Sequence, residues 1–154
     1  MKTTETEPRL RLLENARAYA LEKLAEAGEW AAVARRHAEY YRGLLETAPT
    51  GAAVGNSAVG LTAEIGNIRA ALVWAFSGDG DPRIAVAVAT ASAQLWLEMS
   101  LLAECHDWTS KALALLTTED KGTRREMVLQ AAFGISLRFT AGITEEDCGR
   151  DAHY

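Results

Sequence analysis

Proline is scarce in these 154 residues, at three, and cysteine scarcer still, at two. With so few prolines, little removes a backbone donor or clashes with a preceding turn, so helices can run unbroken. Two cysteines, Cys105 and Cys148, cannot build the disulfide framework of a small secreted scaffold, which points to a reducing, cytoplasmic setting. No apolar run approaches the ~20 residues of a membrane-spanning helix. The polar, acidic start MKTTETEPR is no secretory signal. Positive charge is also in deficit: 16 Lys and Arg stand against 21 Asp and Glu, a net charge of −5. Phosphate contacts need clustered Lys and Arg, so this balance predicts no direct nucleic-acid binding by the segment. There is no glycine loop ending in Lys-Ser or Lys-Thr either. GDGDP, the nearest candidate, has no lysine and sits between two helical patterns, so it is read as a turn.

What is present is apolar and helix-forming. Hydrophobic residues make up 49% of the chain, enough for a core. Spacings of three and four predict six helices. The first spans about Leu12 to Ala27, with Leu13, Ala16, Ala20 and Leu24 on one face and Gly28 as its stop. The preceding PRLRLL alternates and also suits a short strand, leaving residues 8–13 open between strand, helix and disorder. The second carries Trp30, Val33, His37, Tyr41, Leu44, Leu45 and Ala48 on one stripe, and Arg35, Arg36, Glu39 and Glu46 opposite. The third, about Thr62 to Phe76, presents Ile65, Ile68, Leu72 and Phe76. The fourth, about Pro82 to Met99, is apolar nearly all round, with Asp81 as N-cap and Pro82 at its first position. The fifth, about Leu102 to Leu116, turns Cys105, Trp108, Ala112 and Leu115 inward. The sixth, about Gly122 to Ala141, turns Val128, Ala132, Ile135 and Phe139 inward, and a seventh is expected to begin at Thr144.

These patterns give an all-α fold of antiparallel helix pairs. Residues 1–48 form an N-terminal pair, 49–60 a Gly-rich linker, and 61–154 a helical array cut off at its C-terminus. AAL at Ala70–Leu72 recurs as KAL at Lys111–Leu113, each closing a helix that precedes a loop and a long apolar helix. Repeated helix pairs of this length point to a short α-solenoid of the tetratricopeptide type. On the sixth helix a second apolar side, Leu129, Phe133 and Leu137, is a candidate interaction surface and a route to a homodimer.

Chemistry is sparse. Cys105, His106 and Asp107 are adjacent, and neighbouring helical positions point in different directions, so they do not converge on a metal. Cys148 and His153 add no zinc spacing. His37 on an apolar stripe reads as a satisfied boundary histidine. The alternative is a small helical enzyme or metalloprotein using Cys105, His106 and His37. Catalytic, metal-binding and cofactor residues are otherwise expected to be none.

Two blocks carry a resemblance. RLLENARAYALEKLAEAGEW…VARRHAEYY matches through Arg9, Arg11 to Glu14, Arg17 to Leu24 and Arg35 to Tyr41, and AEIGNIRAALVWAF through Glu64, Asn67, Ile68, Arg69 to Leu72, Trp74 and Ala75. They resemble the region after the nucleotide-binding module of STAND-class signal-transduction ATPases, many of them bacterial regulators with a winged-helix DNA-binding or a cyclase domain. There the region leads into tetratricopeptide-like repeats. The resemblance implies a non-enzymatic, cytoplasmic scaffold or effector-sensing segment of a larger transcriptional or signalling regulator. Its partner would be another protein or the ATPase module of its own full-length chain, with no membrane contact.

Overall fold

In the computed structural model the described residues are 13–48 and 60–147, with side chains to 139. Among them every regular element is helical: α1 (Glu14–Glu26), α2 (Trp30–Thr47), α3 (Ile65–Ala75), α4 (Pro82–Glu98), α5 (Leu102–Ala114), a 3₁₀ turn (Thr118–Asp120) and α6 (Arg124–Asp147). The expected linker lies almost wholly outside the described residues, as do most of residues 8–13, Cys148 and His153. The chain separates into two compact units, Met1–Val33 and Ala34–Tyr154, a division that falls inside α2.

The first unit contains α1, which has no buried residue. Gly28 ends it at φ 69°, with its amide on Ala25 O and that of Glu29 on Leu24 O. A residue in this left-handed conformation closes the last carbonyls, and glycine adopts it without strain.

The second unit holds the core. α4 is its centre and packs against α3, α5 and α6, while α5 packs against α6. The near-uniform apolarity of α4 foretold this: Ile84, Val88 and Leu95 are buried along one stripe, and Val86, Ala89, Ala93 and Trp96 on other sides. Each such side chain contributes ~1.5–3 kcal/mol by leaving water. As the sequence suggests, Asp81 caps α4, accepting the amide of Arg83 at 2.9 Å, and Pro82 supplies the first helical residue. A Schellman closure follows: Ser100 sits at φ 58°, donating to Leu97 O, and Leu101 donates to Trp96 O.

Three readings are corrected. α6 is one helix through Thr144 to Asp147, so no seventh helix starts there. No proline interrupts the stretch, and a mid-helix Gly142 is tolerated. Its phase also differs: Leu129, Ala132 and Ser136 face the core, whereas Ile135 and Phe139 are exposed. Apolar residues lie at nearly every angle of this helix, so periodicity could not choose between faces. Ser136 enters the core satisfied, its hydroxyl donating to Phe133 O at 2.9 Å. Leu115, expected inward, is exposed just past the end of α5, whereas Thr109 is buried with its hydroxyl on Cys105 O at 2.6 Å.

Candidate functional site

The most developed polar cluster joins α2 to α3. Ala34, Ala38, Tyr41 and Leu45 form the buried stripe of α2. One turn from Ala38, Tyr41 donates its hydroxyl to Glu64 Oε2 at 2.7 Å, and Asn67 Nδ2 donates to the same oxygen at 2.7 Å. His37 hydrogen-bonds the Asn67 side chain, and its ring lies 4.8 Å from that of Tyr41. The Tyr40 ring meets Tyr41 edge-on at 5.1 Å. Burial, then the hydrogen bond to and charge of Glu64, push the Tyr41 phenol well above its ordinary range. Burial lowers the His37 pKa, opposed by the hydrogen bond to Asn67. The Tyr41 hydroxyl and the Asn67 amide close on one carboxylate and hold the two helices together, while burial favours the neutral form of His37.

Two further clasps flank it. Arg35 reaches from α2 to Asp81 Oδ2 at 2.9 Å, tying α2 to the cap of α4. Arg69 forks onto Glu104 of α5 at 2.7 and 2.5 Å while its guanidinium lies 5.9 Å from the Trp96 ring. That bidentate geometry is the stronger form of an exposed ion pair. Beside the Glu64 cluster, a groove of about 440 Å³ is lined by Tyr40, Leu44, Thr47, Ala48, Gly60, Leu61 and Glu64.

The residues singled out for chemistry are not brought together. Cys105 is fully buried, with Sγ 3.8 Å from Ala132 O, and burial raises its thiol pKa. A thiolate there is disfavoured. His106 stacks on Phe133, ring centroids 4.9 Å apart, and Asp107 pairs with Lys111 at 2.7 Å. No hydrogen bond or ring contact among the described residues links His37 to Cys105 or His106. Among the described residues no group of three or more His, Cys, Asp or Glu could hold a metal, and no helix is long and apolar enough to cross a membrane. Of the proposed interaction surface, Leu129 belongs to the core, Phe133 is half-buried against His106, and Leu137 is exposed.

The clasps use Arg35, His37, Tyr41, Glu64, Asn67 and Arg69 from the two blocks that carry the resemblance, and two of them close on Asp81 and Glu104. Their pairing was not readable beforehand, because a stretch without periodicity separates the blocks.

No protein-family profile and no solved structure matches the chain. It is similar to proteins named as HTH-type transcriptional regulators in Mycobacterium bovis and in the CDC 1551 and H37Rv strains of Mycobacterium tuberculosis. Each is 36% identical over 107 residues, covering 68% of this chain and 12% of the relative. The chain thus spans about an eighth of the length of these relatives. They overturn the expectation of no direct nucleic-acid binding, because regulators of that name act on DNA. The physical error was to let a net charge of −5 stand for every local surface: charge summed over a chain does not exclude a basic patch.

Proposed function

We propose that this chain is a non-catalytic helical scaffold within a transcriptional regulator. In this reading α3–α4 and α5–α6 are tetratricopeptide-like pairs that host a protein contact or sense an effector. The segment works beside an ATPase module, as in the STAND-class proteins its motifs resemble. One observation carries the reading: the residues of the two resembling blocks meet in the clasp of His37, Tyr41, Glu64 and Asn67. Residues engaged in joining helices serve the geometry of an array rather than turnover. The similarity to transcriptional regulators supports the setting, and the burial of Cys105 speaks against thiol chemistry.

The test is a reporter gene controlled by the regulator that contains this segment. A Tyr41→Phe, Glu64→Gln double variant, produced at wild-type level, should lose or alter induction several-fold. Unchanged induction by a variant whose melting midpoint has demonstrably fallen would sink the scaffold reading.

A further inference from the structure

The outward side of α6 carries charge of opposite sign at its two ends. At 100° per residue, Arg124, Met127, Ala131, Ile135, Arg138 and Phe139 fall within one third of the helix circumference. Met127, Ile135 and Phe139 are 63%, 44% and 59% exposed, and Arg124, Ala131 and Arg138 are exposed with them. The backbone stays helical to Asp147, which brings the positions of Gly142, Glu145 and Glu146 into the same third. This side therefore begins on an arginine, is apolar at its centre with Arg138 on one edge, and ends on two acidic residues. The charges next to its start lie on other sides and are engaged there. Arg125 pairs with Asp120 at 3.2 Å, and Glu126 accepts from Gly122 N and Gln130 Nε2.

Such a side is complementary to itself when turned end for end. We infer that it docks on the same side of a second copy of this chain, the two α6 helices lying antiparallel about a twofold axis at Ile135. Arg124 and Glu146 each lie eleven residues from Ile135, so the axis sets the arginine of one copy opposite the glutamate position of the other, at both ends of the pair. Ala131 and Phe139, each four residues from Ile135, put a small side chain against a large one. Arg138, on the edge, comes beside Ala131 of the second copy, where its aliphatic stem can lie. A parallel pair would set Arg124 against Arg124 and acid against acid. A partner helix of a single charge sign would meet like charge at one end. Charge order thus favours a second copy, and the exposed apolar centre supplies the burial. This goes beyond the scaffold reading, and it uses a different side of the helix from that of Leu129, Phe133 and Leu137.

The experiment is sedimentation equilibrium of the 154-residue chain. A dimer should form with a dissociation constant of about 10–100 µM, as suits an interface of one helix pair. Ile135→Asp, at an exposed position on the axis, should weaken it by about tenfold or more. Arg124→Glu should weaken it by about tenfold, because like charges then meet at both ends, and so should Glu145→Arg with Glu146→Arg. All three charge changes on one chain restore opposite signs at both ends and should bring the dissociation constant back to within about threefold of wild type. Circular dichroism melts check that each variant is folded. Should Ile135→Asp fail to fold, the loss and recovery among the charge variants still decide. A chain that stays monomeric up to about 1 mM overturns the inference. So does a dimer indifferent to these substitutions, or a loss that the combined reversal does not recover. The reporter test above reads the clasp between α2 and α3, so either test can fail while the other succeeds.

Discussion

Tyr41 and Glu64 stand 23 residues apart in sequence and 2.7 Å apart in space, hydroxyl to carboxylate. Asn67 completes the pair from the next turn of α3. The bond is short, partly buried and charge-assisted, so its energetic weight is measurable. Removing the hydroxyl with Tyr41→Phe should lower stability by about 1–2 kcal/mol, the range for a hydrogen bond to a charged acceptor discounted for partial exposure. Urea unfolding should show a lower midpoint with an unchanged slope. A midpoint equal to wild type would mean that the Tyr41 hydroxyl contributes nothing to holding α2.

His37 makes stability depend on pH. Its folded-state pKa is lowered from 6.5, chiefly by burial. Between that lowered value and 6.5 the unfolded chain binds more protons than the folded one, so stability is greatest above 6.5 and falls as pH drops through the window. His37→Gln should flatten the thermal midpoint between about pH 7.5 and about pH 5 relative to wild type. The depressed carboxyl pKa values of Asp81, held chiefly by the Arg83 amide, and Asp120, held chiefly by the Thr117 amide, act only at lower pH, below 3.8. A variant with the same pH slope as wild type would remove His37 from this role.

The two tryptophans at the α4–α5 junction should differ. Trp96 is fully buried, its indole N–H on Ser92 Oγ at 3.0 Å. Trp108 is half-buried, stacked on Phe76 with ring centroids 5.7 Å apart. Trp96→Ala should cost about 3–5 kcal/mol, and Trp108→Ala distinctly less. Equal losses would place Trp108 in the core as well, as its stripe in the sequence suggests.

Two loop positions should respond in opposite directions. A Cβ at Gly80 would run into the carbonyl oxygens of Trp74 and Ala75 at the end of α3. Gly80→Ala should therefore destabilise, by about 1–3 kcal/mol for a clash that backbone must absorb. Ser100, at φ 58°, bears the left-handed strain of a residue with a Cβ, so Ser100→Gly should be neutral to stabilising by up to about 1 kcal/mol. Calorimetric midpoints of the two variants check both signs.

What the residues alone determined was local. An alanine-rich, proline-poor chain with apolar positions at spacings of three and four can hardly be other than helical. The caps at Asp81 and Gly28, and the central burial of α4, followed from side-chain chemistry and from apolarity on all sides. Tertiary structure decided what periodicity leaves degenerate. It turned Leu129 and Ser136 of α6 inward and Ile135 and Phe139 outward, because hydroxyls that bond their own helix can enter a core while a crowded apolar helix can bury only one side. It carried α6 without a break through Thr144, where a hydroxyl followed by acids reads as a new start. It also joined Tyr41 to Glu64 and Arg69 to Glu104, because a hydrogen bond between distant residues depends on how helices pack, and spacing along one helix carries no record of its neighbour.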